Sequence, residues 1–195
     1  MLTLKSQKML KPLLSLLCIA LPFMGLWAQD TPQDFIVTIS YDTLHGKVMG
    51  GLTPGKSSVM VKFKANKTGE TKIYKAKDIK SWHPAGADYY FESKVYHPKG
   101  RHKLDMGYAV FMRRLNPGKV KVKLYEYYNI EGTVGYTQTY LERKGSMEEV
   151  IFRRFRKQLA TYLADQPEIV AKIEKKEYKK RDLKRLIADY NQAAK

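Results

Sequence analysis

Cysteine is almost absent from this chain of 195 residues. Cys18 is the only one, and Leu16 and Leu17 precede it in place of the small residue that normally precedes a lipidated cysteine. If this amino-terminal segment is removed, the remaining chain has no thiol. Disulfides, thiolate zinc sites and cysteine nucleophiles are then excluded together. A chain of this size can still fold, because its core is large enough without cross-links.

The sequence also lacks a long uninterrupted apolar run. Leu13–Leu21 is apolar, but it is shorter than the roughly 20 residues of a membrane-spanning helix, and Pro22 separates it from the apolar residues up to Trp27. Basic residues precede it, and Ala28 suits a cleavage site, so residues 1–28 predict a secretory signal peptide. We therefore expect export to the periplasm, the outer membrane or the medium, with no retained transmembrane helix. The basic residues are Lys5, Lys8 and Lys11.

Familiar catalytic patterns are missing: there is no G-x-S-x-G, no H-E-x-x-H and no phosphate-binding glycine loop. His97 and His102 are five residues apart among basic side chains, which does not suit a metal site. Asp88 and Glu92 lie near His83, a grouping that chance also produces. The sequence predicts no cofactor and favours a non-enzymatic role. A hydrolase in which His83 or His97 meets a carboxylate is the third alternative.

Acidic residues are scarce relative to basic ones, 19 against 36, which gives a net charge of +17. Residues 1–28 contain three lysines and no carboxylate, so residues 29–195 retain +14. A cationic surface favours anionic partners. Because export makes nucleic acid a poor candidate, the expected partners are anionic lipid, lipopolysaccharide or an envelope protein.

The stretch Tyr108–Tyr128 predicts a β-hairpin around Asn116-Pro117-Gly118, a sequence that suits a tight turn. After the turn, lysines alternate with Val120, Val122 and Leu124, which gives a strand with one cationic face. This row is either a solvated sheet face or a docking surface for a polyanion. Candidate contacts with an anionic surface are Lys119, Lys121 and Lys123, together with Lys62 and Lys64 of an earlier alternating segment.

Tyrosine is abundant, with 14 in the chain, and it favours strands and half-buried positions. Its rings either pack across strands or line a ligand groove. The candidate ligand-lining residues are Tyr125, Tyr127, Tyr136 and Tyr140. A barrel that binds a small apolar ligand is accordingly the second functional alternative.

The periodicity changes near Ser146. Before it, alternating segments predict strands, and Ile79 and Trp82 are interpreted as anchors that close the end of the sheet. Ser146-Met147-Glu148-Glu149 resembles a capping box, which predicts a helix over Met147–Ala164 and two shorter helices beyond it. We predict an α+β protein, an antiparallel β-sheet or partly closed barrel followed by a C-terminal helical section. Residues 1–28 are the signal peptide, 29–146 the β-rich domain and 147–195 the helical section packed on it.

Several short motifs occur in a recognisable order. They are Ile39–Val48, Tyr74–Ile79, Gly118-Lys119-Val120 leading to Leu124-Tyr125, and the terminal Leu186–Asn191, which ends in Asp-Tyr-Asn. On these residues the chain resembles a broad class of secreted or envelope proteins common in Bacteroidota. The resemblance implies an envelope or secreted protein with strands first and helices last, and it carries no known catalytic residue.

The leading functional interpretation is a non-enzymatic protein that binds an anionic surface or another envelope component. It depends on the charge of residues 29–195 and on the lysine-faced strand.

Overall fold

A computed structural model describes residues 33–50, 59–96, 107–131 and 134–194. In these ranges ten strands precede three α-helices, which confirms the predicted α+β class. The strands are β1 (Asp34–Thr38), β2 (Thr43–Met49), β3 (Met60–Ala65), β4 (Thr71–Lys75), β5 (Ile79–His83), β6 (Tyr90–Tyr96), β7 (Tyr108–Arg114), β8 (Lys123–Glu131), β9 (Val134–Arg143) and β10 (Ser146–Glu149). The α-helices are α1 (Phe155–Tyr162), α2 (Pro167–Glu174) and α3 (Leu183–Ala193).

The strands form one open antiparallel sheet in the order β10-β9-β8-β7-β6-β5-β1-β2-β3-β4. Of the two predicted architectures, the open sheet is therefore the one observed. Most neighbours are also consecutive along the chain, as hairpin-connected strands are. The exception is β1, which lies between β5 and β2. The interpretation of Ile79 and Trp82 as anchors at the end of the sheet is wrong, because both lie on β5, an interior strand between β1 and β6.

The predicted hairpin is present, although its second strand begins later than expected. Strand β7 ends at Arg114 and β8 begins at Lys123, so Lys119 and Lys121 lie in the connection between them. Gly118 has φ +89°, the conformation that glycine adopts readily. The expected alternation continues through the connection, because Val122 is buried and Lys121 is exposed.

The predicted helix start at Met147 is wrong. Ser146–Glu149 is β10, paired with β9 through a two-residue turn at Lys144 and Gly145. Both turn residues have positive φ, 51° and 80°, as a tight hairpin of this type requires. The β9–β10 hairpin therefore forms in place of the helix that the capping-box pattern predicts. A 3₁₀ turn at Phe152–Arg154 then leads into α1, so strand gives way to helix after Glu149.

The three helices pack on one end of the sheet. Their apolar side chains meet Val122, Leu124 and Leu141 in a single buried cluster, as expected from the apolar stripe of each amphipathic helix. Helix α2 begins at Pro167, and proline at the first helical position costs no hydrogen bond. The buried helical side chains are Phe155, Leu159, Ile169, Ile173, Leu183, Leu186, Ile187 and Tyr190.

Two further clusters cover the rest of the sheet. One gathers Ile36, Val61 and Phe63 with Ile79 and Phe111. The other contains tyrosines and includes Val110 and Met112. Successive side chains of a strand point to opposite faces, so the consecutive burial of Val110, Phe111 and Met112 shows that both faces of β7 are covered.

Candidate functional site

The five predicted contact lysines do not form one surface. Lys62 and Lys64 lie on β3, beside the buried Val61 and Phe63. Lys123 opens β8, which five intervening strands separate from β3. At the usual spacing between strands the two groups are roughly 29 Å apart along the sheet. The five lysines therefore do not share a single flat face of the sheet.

Two of the three lysines in and after the hairpin connection have carboxylate partners. Lys121 Nζ lies 2.8 Å from Asp165 Oδ2, and Lys123 Nζ lies 3.3 Å from Glu142 Oε1. Lys119 is exposed and forms no ion pair with a described carboxylate. Lys121 thus helps to fasten the connection to the segment between α1 and α2.

Three of the four candidate tyrosines come together, and they are buried. Tyr125, Tyr127 and Tyr140 form one cluster with Tyr96, whose ring centroid lies 4.7 Å from that of Tyr127. Tyr136 stands apart, and its hydroxyl accepts a hydrogen bond from Asn129 Nδ2 at 3.0 Å. The Tyr127 and Tyr140 rings each contact Tyr96, as aromatic pairs between strands commonly do.

Next to this cluster is a half-buried polar network centred on Glu92. Its carboxylate accepts hydrogen bonds from Tyr125 Oη and from Arg114 Nη1, the latter at 2.7 Å. Lys94 bridges Glu92 and Glu142, at 3.1 Å and 2.6 Å. Burial would raise the pKa of Glu92, but these hydrogen bonds and the Lys94 charge lower it to about 2. Burial also raises the pKa of Tyr125. The Glu92 carboxylate is therefore ionised at neutral pH and is a poor acceptor for a proton.

The suggested acid–base set is not assembled in the described part of the chain. His83 stacks on Phe35, with ring centroids 5.1 Å apart, and forms no hydrogen bond with Asp88 or Glu92. Asp88 is exposed and pairs with Lys184 at 3.1 Å. His97 and His102 lie outside the described residues. Among the residues that are described, no group of three or more His, Cys, Asp or Glu side chains could hold a metal ion.

A cationic surface that the sequence analysis did not single out lies at the start of α1. We call it the arginine patch. Its members are Ile151, Phe152, Arg153, Arg154, Arg156, Lys157 and Lys180. Both apolar members are exposed, Ile151 at 43% and Phe152 at 39%. Phe152 stacks on the buried Phe155, and a shallow depression of about 220 Å³ separates this segment from Tyr178 and Lys180.

The backbone beneath the arginine patch is held by one side chain. Gln158 accepts a hydrogen bond from the Ile151 N–H at 2.8 Å and donates to the Glu149 carbonyl and the Glu148 carboxylate, both at 2.6 Å. Phe155 is buried in the helical core. These hydrogen bonds and the burial of Phe155 therefore fix the turn between β10 and α1 that carries the arginine patch.

The charges of the arginine patch lack stabilising ion pairs within the described part of the chain. Among the described residues, none of its five basic side chains forms an ion pair with a carboxylate. Arg156 and Lys157 occupy the first turn of α1, where the helix dipole already presents partial positive charge. Cations there are unfavourable by about 0.3–1 kcal/mol each. Such a local conflict is expected where a site serves binding rather than stability.

Comparison with protein-family models, curated proteins and solved structures found no match to this chain. The resemblance to secreted proteins of Bacteroidota therefore stays a prediction. In the described ranges, no helix is both long and apolar enough to cross a bilayer.

Proposed function

We propose that this chain is a non-enzymatic binding protein that docks on an anionic lipid surface. The observation that carries the proposal is the arginine patch, in which five basic side chains without described carboxylate partners surround two exposed apolar ones. Residues 1–28 and the resemblance both favour an exported protein, which would meet the lipid of the cell envelope. The charge of +14 on residues 29–195 acts in the same direction by attracting the protein to such a surface.

The composition of the arginine patch suits the boundary between lipid headgroups and acyl chains. Each Lys or Arg close to an anionic membrane contributes about 1 kcal/mol, so five such residues supply roughly 5 kcal/mol before any apolar contact. Phe152 and Ile151 can enter the interface while the basic side chains remain with the headgroups. A neutral bilayer provides no electrostatic attraction for these five charges.

The test is co-sedimentation of the purified protein with vesicles of phosphatidylglycerol and phosphatidylcholine, compared with phosphatidylcholine alone, at physiological salt. We expect binding only to the anionic vesicles. Reversing two charges in Arg154→Glu/Arg156→Glu should weaken it by at least about tenfold, because two attractions become repulsions. Circular dichroism should show that this variant and the control variant Lys62→Glu/Lys64→Glu are both folded.

The matched control is Lys62→Glu/Lys64→Glu, which changes the net charge equally, but at two of the other predicted contact lysines, on β3. It should weaken binding by less than about threefold, through the general field alone. If this control lost binding and the arginine variant kept it, β3 would be the docking face and the proposal would be wrong. Phe152→Ala adds a second test, since binding by charge alone would not respond to it.

A further inference from the structure

A second cationic feature lies away from the arginine patch, on the sheet. It is a cleft of about 610 Å³ between the β1–β2 turn and strands β5, β6 and β8. We call it the lysine cleft. Its lining includes Tyr41 and Ile39 at the rim, Ser81 on β5, and four lysines: Lys77, Lys80, Lys94 and Lys123. The volume is in the range of sites for small organic ligands.

Only part of the positive charge in the lysine cleft is neutralised. Glu92 is paired with Arg114 and Lys94, and Lys94 also bonds Glu142 at 2.6 Å. Lys123 is a second, more distant partner of Glu142, at 3.3 Å. Lys77 and Lys80 have no described carboxylate partner, and Lys123 shares Glu142 with Lys94, so a ligand anion would meet positive charge that is not neutralised.

Strand β5 is irregular at Lys80. Val37 of β1 lies opposite Ser81, and the next residue, Thr38, lies opposite Ile79, so Lys80 has no partner in the register. Such a bulge redirects a side chain and is common beside functional sites. The Lys80 ammonium lies 4.1 Å from the centroid of the Tyr41 ring, within the range of a cation–π contact.

The rim of the cleft is also held in an unusual conformation. Tyr41 has φ +70°, which is rare for a bulky side chain, and it is 74% exposed. Hydrogen bonds that join Thr38, Ser40 and Asp42 close the turn around it. A tyrosine fixed in this way at the surface gains little from packing. Its position beside Lys80 suits contact with the organic part of a ligand.

We propose that the lysine cleft binds a small phosphorylated organic molecule. The phosphate would lie among Lys77, Lys80 and Lys123, whose charges suit a dianion. The Ser81 hydroxyl has no hydrogen-bond partner in the described part of the chain and can donate to a phosphate oxygen. Ile39 and Tyr41 would contact the organic part. This site requires neither a membrane nor the arginine patch.

The test is isothermal titration of the purified protein with phenyl phosphate, and with inorganic phosphate for comparison, at low salt. We expect saturable binding of phenyl phosphate at one site. Inorganic phosphate should bind at least about threefold more weakly, because it lacks the apolar contact. Lys80→Glu should weaken phenyl phosphate binding by about tenfold or more, as expected when a charge-assisted hydrogen bond is lost.

The matched control is Lys67→Glu, an equal charge change in the exposed β3–β4 turn, and its affinity should stay within about twofold of the unaltered protein. Arg154→Glu/Arg156→Glu should also bind phenyl phosphate normally, which separates this site from vesicle docking. Absence of saturable binding below roughly 10 mM would overturn the proposal. So would equal losses in the Lys80 and Lys67 variants, or equal affinity for the two phosphates.

Discussion

The buried side chain of Asn191 provides the sharpest test of how the helices are attached to the sheet. Its Oδ1 accepts the Val122 N–H and its Nδ2 donates to the Val122 carbonyl, both at 2.8 Å. Asn191 is 9% exposed and Val122 fully buried. Substitution by leucine, which has a similar volume, removes both bonds and leaves little room for a replacement water.

The expected cost comes mainly from the Val122 N–H, because the Val122 carbonyl still accepts a hydrogen bond from Asn116 Nδ2 at 2.8 Å. A buried donor left without a partner costs about 1–3 kcal/mol, and loss of one of the two hydrogen bonds to the carbonyl costs about 0.5–1.5 kcal/mol. Leucine forms helix more readily than asparagine and returns about 0.5 kcal/mol in α3. We therefore expect Asn191→Leu to lower the free energy of unfolding by roughly 1–4 kcal/mol.

Urea unfolding monitored by circular dichroism measures this change directly. The control is Gln192→Leu, at the neighbouring exposed position of the same helix, which should alter the free energy of unfolding by less than about 0.5 kcal/mol. A loss below about 1 kcal/mol for Asn191→Leu would show that the two bonds to Val122 contribute little, and would refute the reasoning.

Two further stability predictions concern the sheet. Because the pKa of Glu92 in the folded protein is lowered from 4.5 to about 2, its ionised form stabilises the fold above pH 4.5, and that stabilisation is lost as the pH falls towards 2. The difference in free energy of unfolding between the unaltered protein and Glu92→Gln, measured by urea unfolding, should therefore narrow over this range by about 2 kcal/mol after allowance for partial exposure. A constant difference would contradict the assignment. Gly46→Ala should destabilise by about 1–3 kcal/mol, because its Cβ would lie 2.1 Å from the Lys64 carbonyl oxygen. Gly50→Ala, whose Cβ would meet nothing within 4 Å, should leave the urea midpoint nearly unchanged.

Regular segments of the fold are predictable from sequence, and short irregular ones are not. Val61 and Phe63 alternate with lysines, and Pro167 begins a helix, so β3 and α2 can be derived from local chemistry. Strand β10 has four residues, too few to show alternation against a capping-box pattern. Strand β5 escapes prediction because its bulge lets Ile79 and Trp82, three positions apart, pack in the same core. No periodic pattern reveals that.

The candidate sites are predictable only in part. Lys123 is a candidate from sequence, yet its proximity to Lys80 depends on how β5, β6 and β8 are aligned, and that alignment is not local in sequence. The arginine patch has a signal in the run Ile151–Lys157, with four basic residues among three apolar ones. That signal is obscured because the capping-box pattern places the segment inside a longer amphipathic helix.

The terminal Asp-Tyr-Asn also acquires a physical meaning. Asp189 accepts a hydrogen bond from the Tyr178 hydroxyl at 2.7 Å, and Tyr190 donates to Asp165. Asn191 completes the set through Val122. Three consecutive side chains thus secure α3 to three separate parts of the protein, which periodicity alone does not show.

The position of β1 has a consequence for how the chain tolerates change. The chain leaves one flank of β1 at Thr43 and returns to its other flank at Ile79, so β2, β3 and β4 form an excursion that starts and finishes beside the same strand. Lengthening such an excursion is inexpensive in chain entropy, at about 0.6 kcal/mol for each doubling of a flexible segment. Residues inserted at the exposed β3–β4 turn around Lys67 would leave the alignment of β6 through β9 undisturbed, whereas changes within β3 would disturb the core that Val61 and Phe63 share with Phe111.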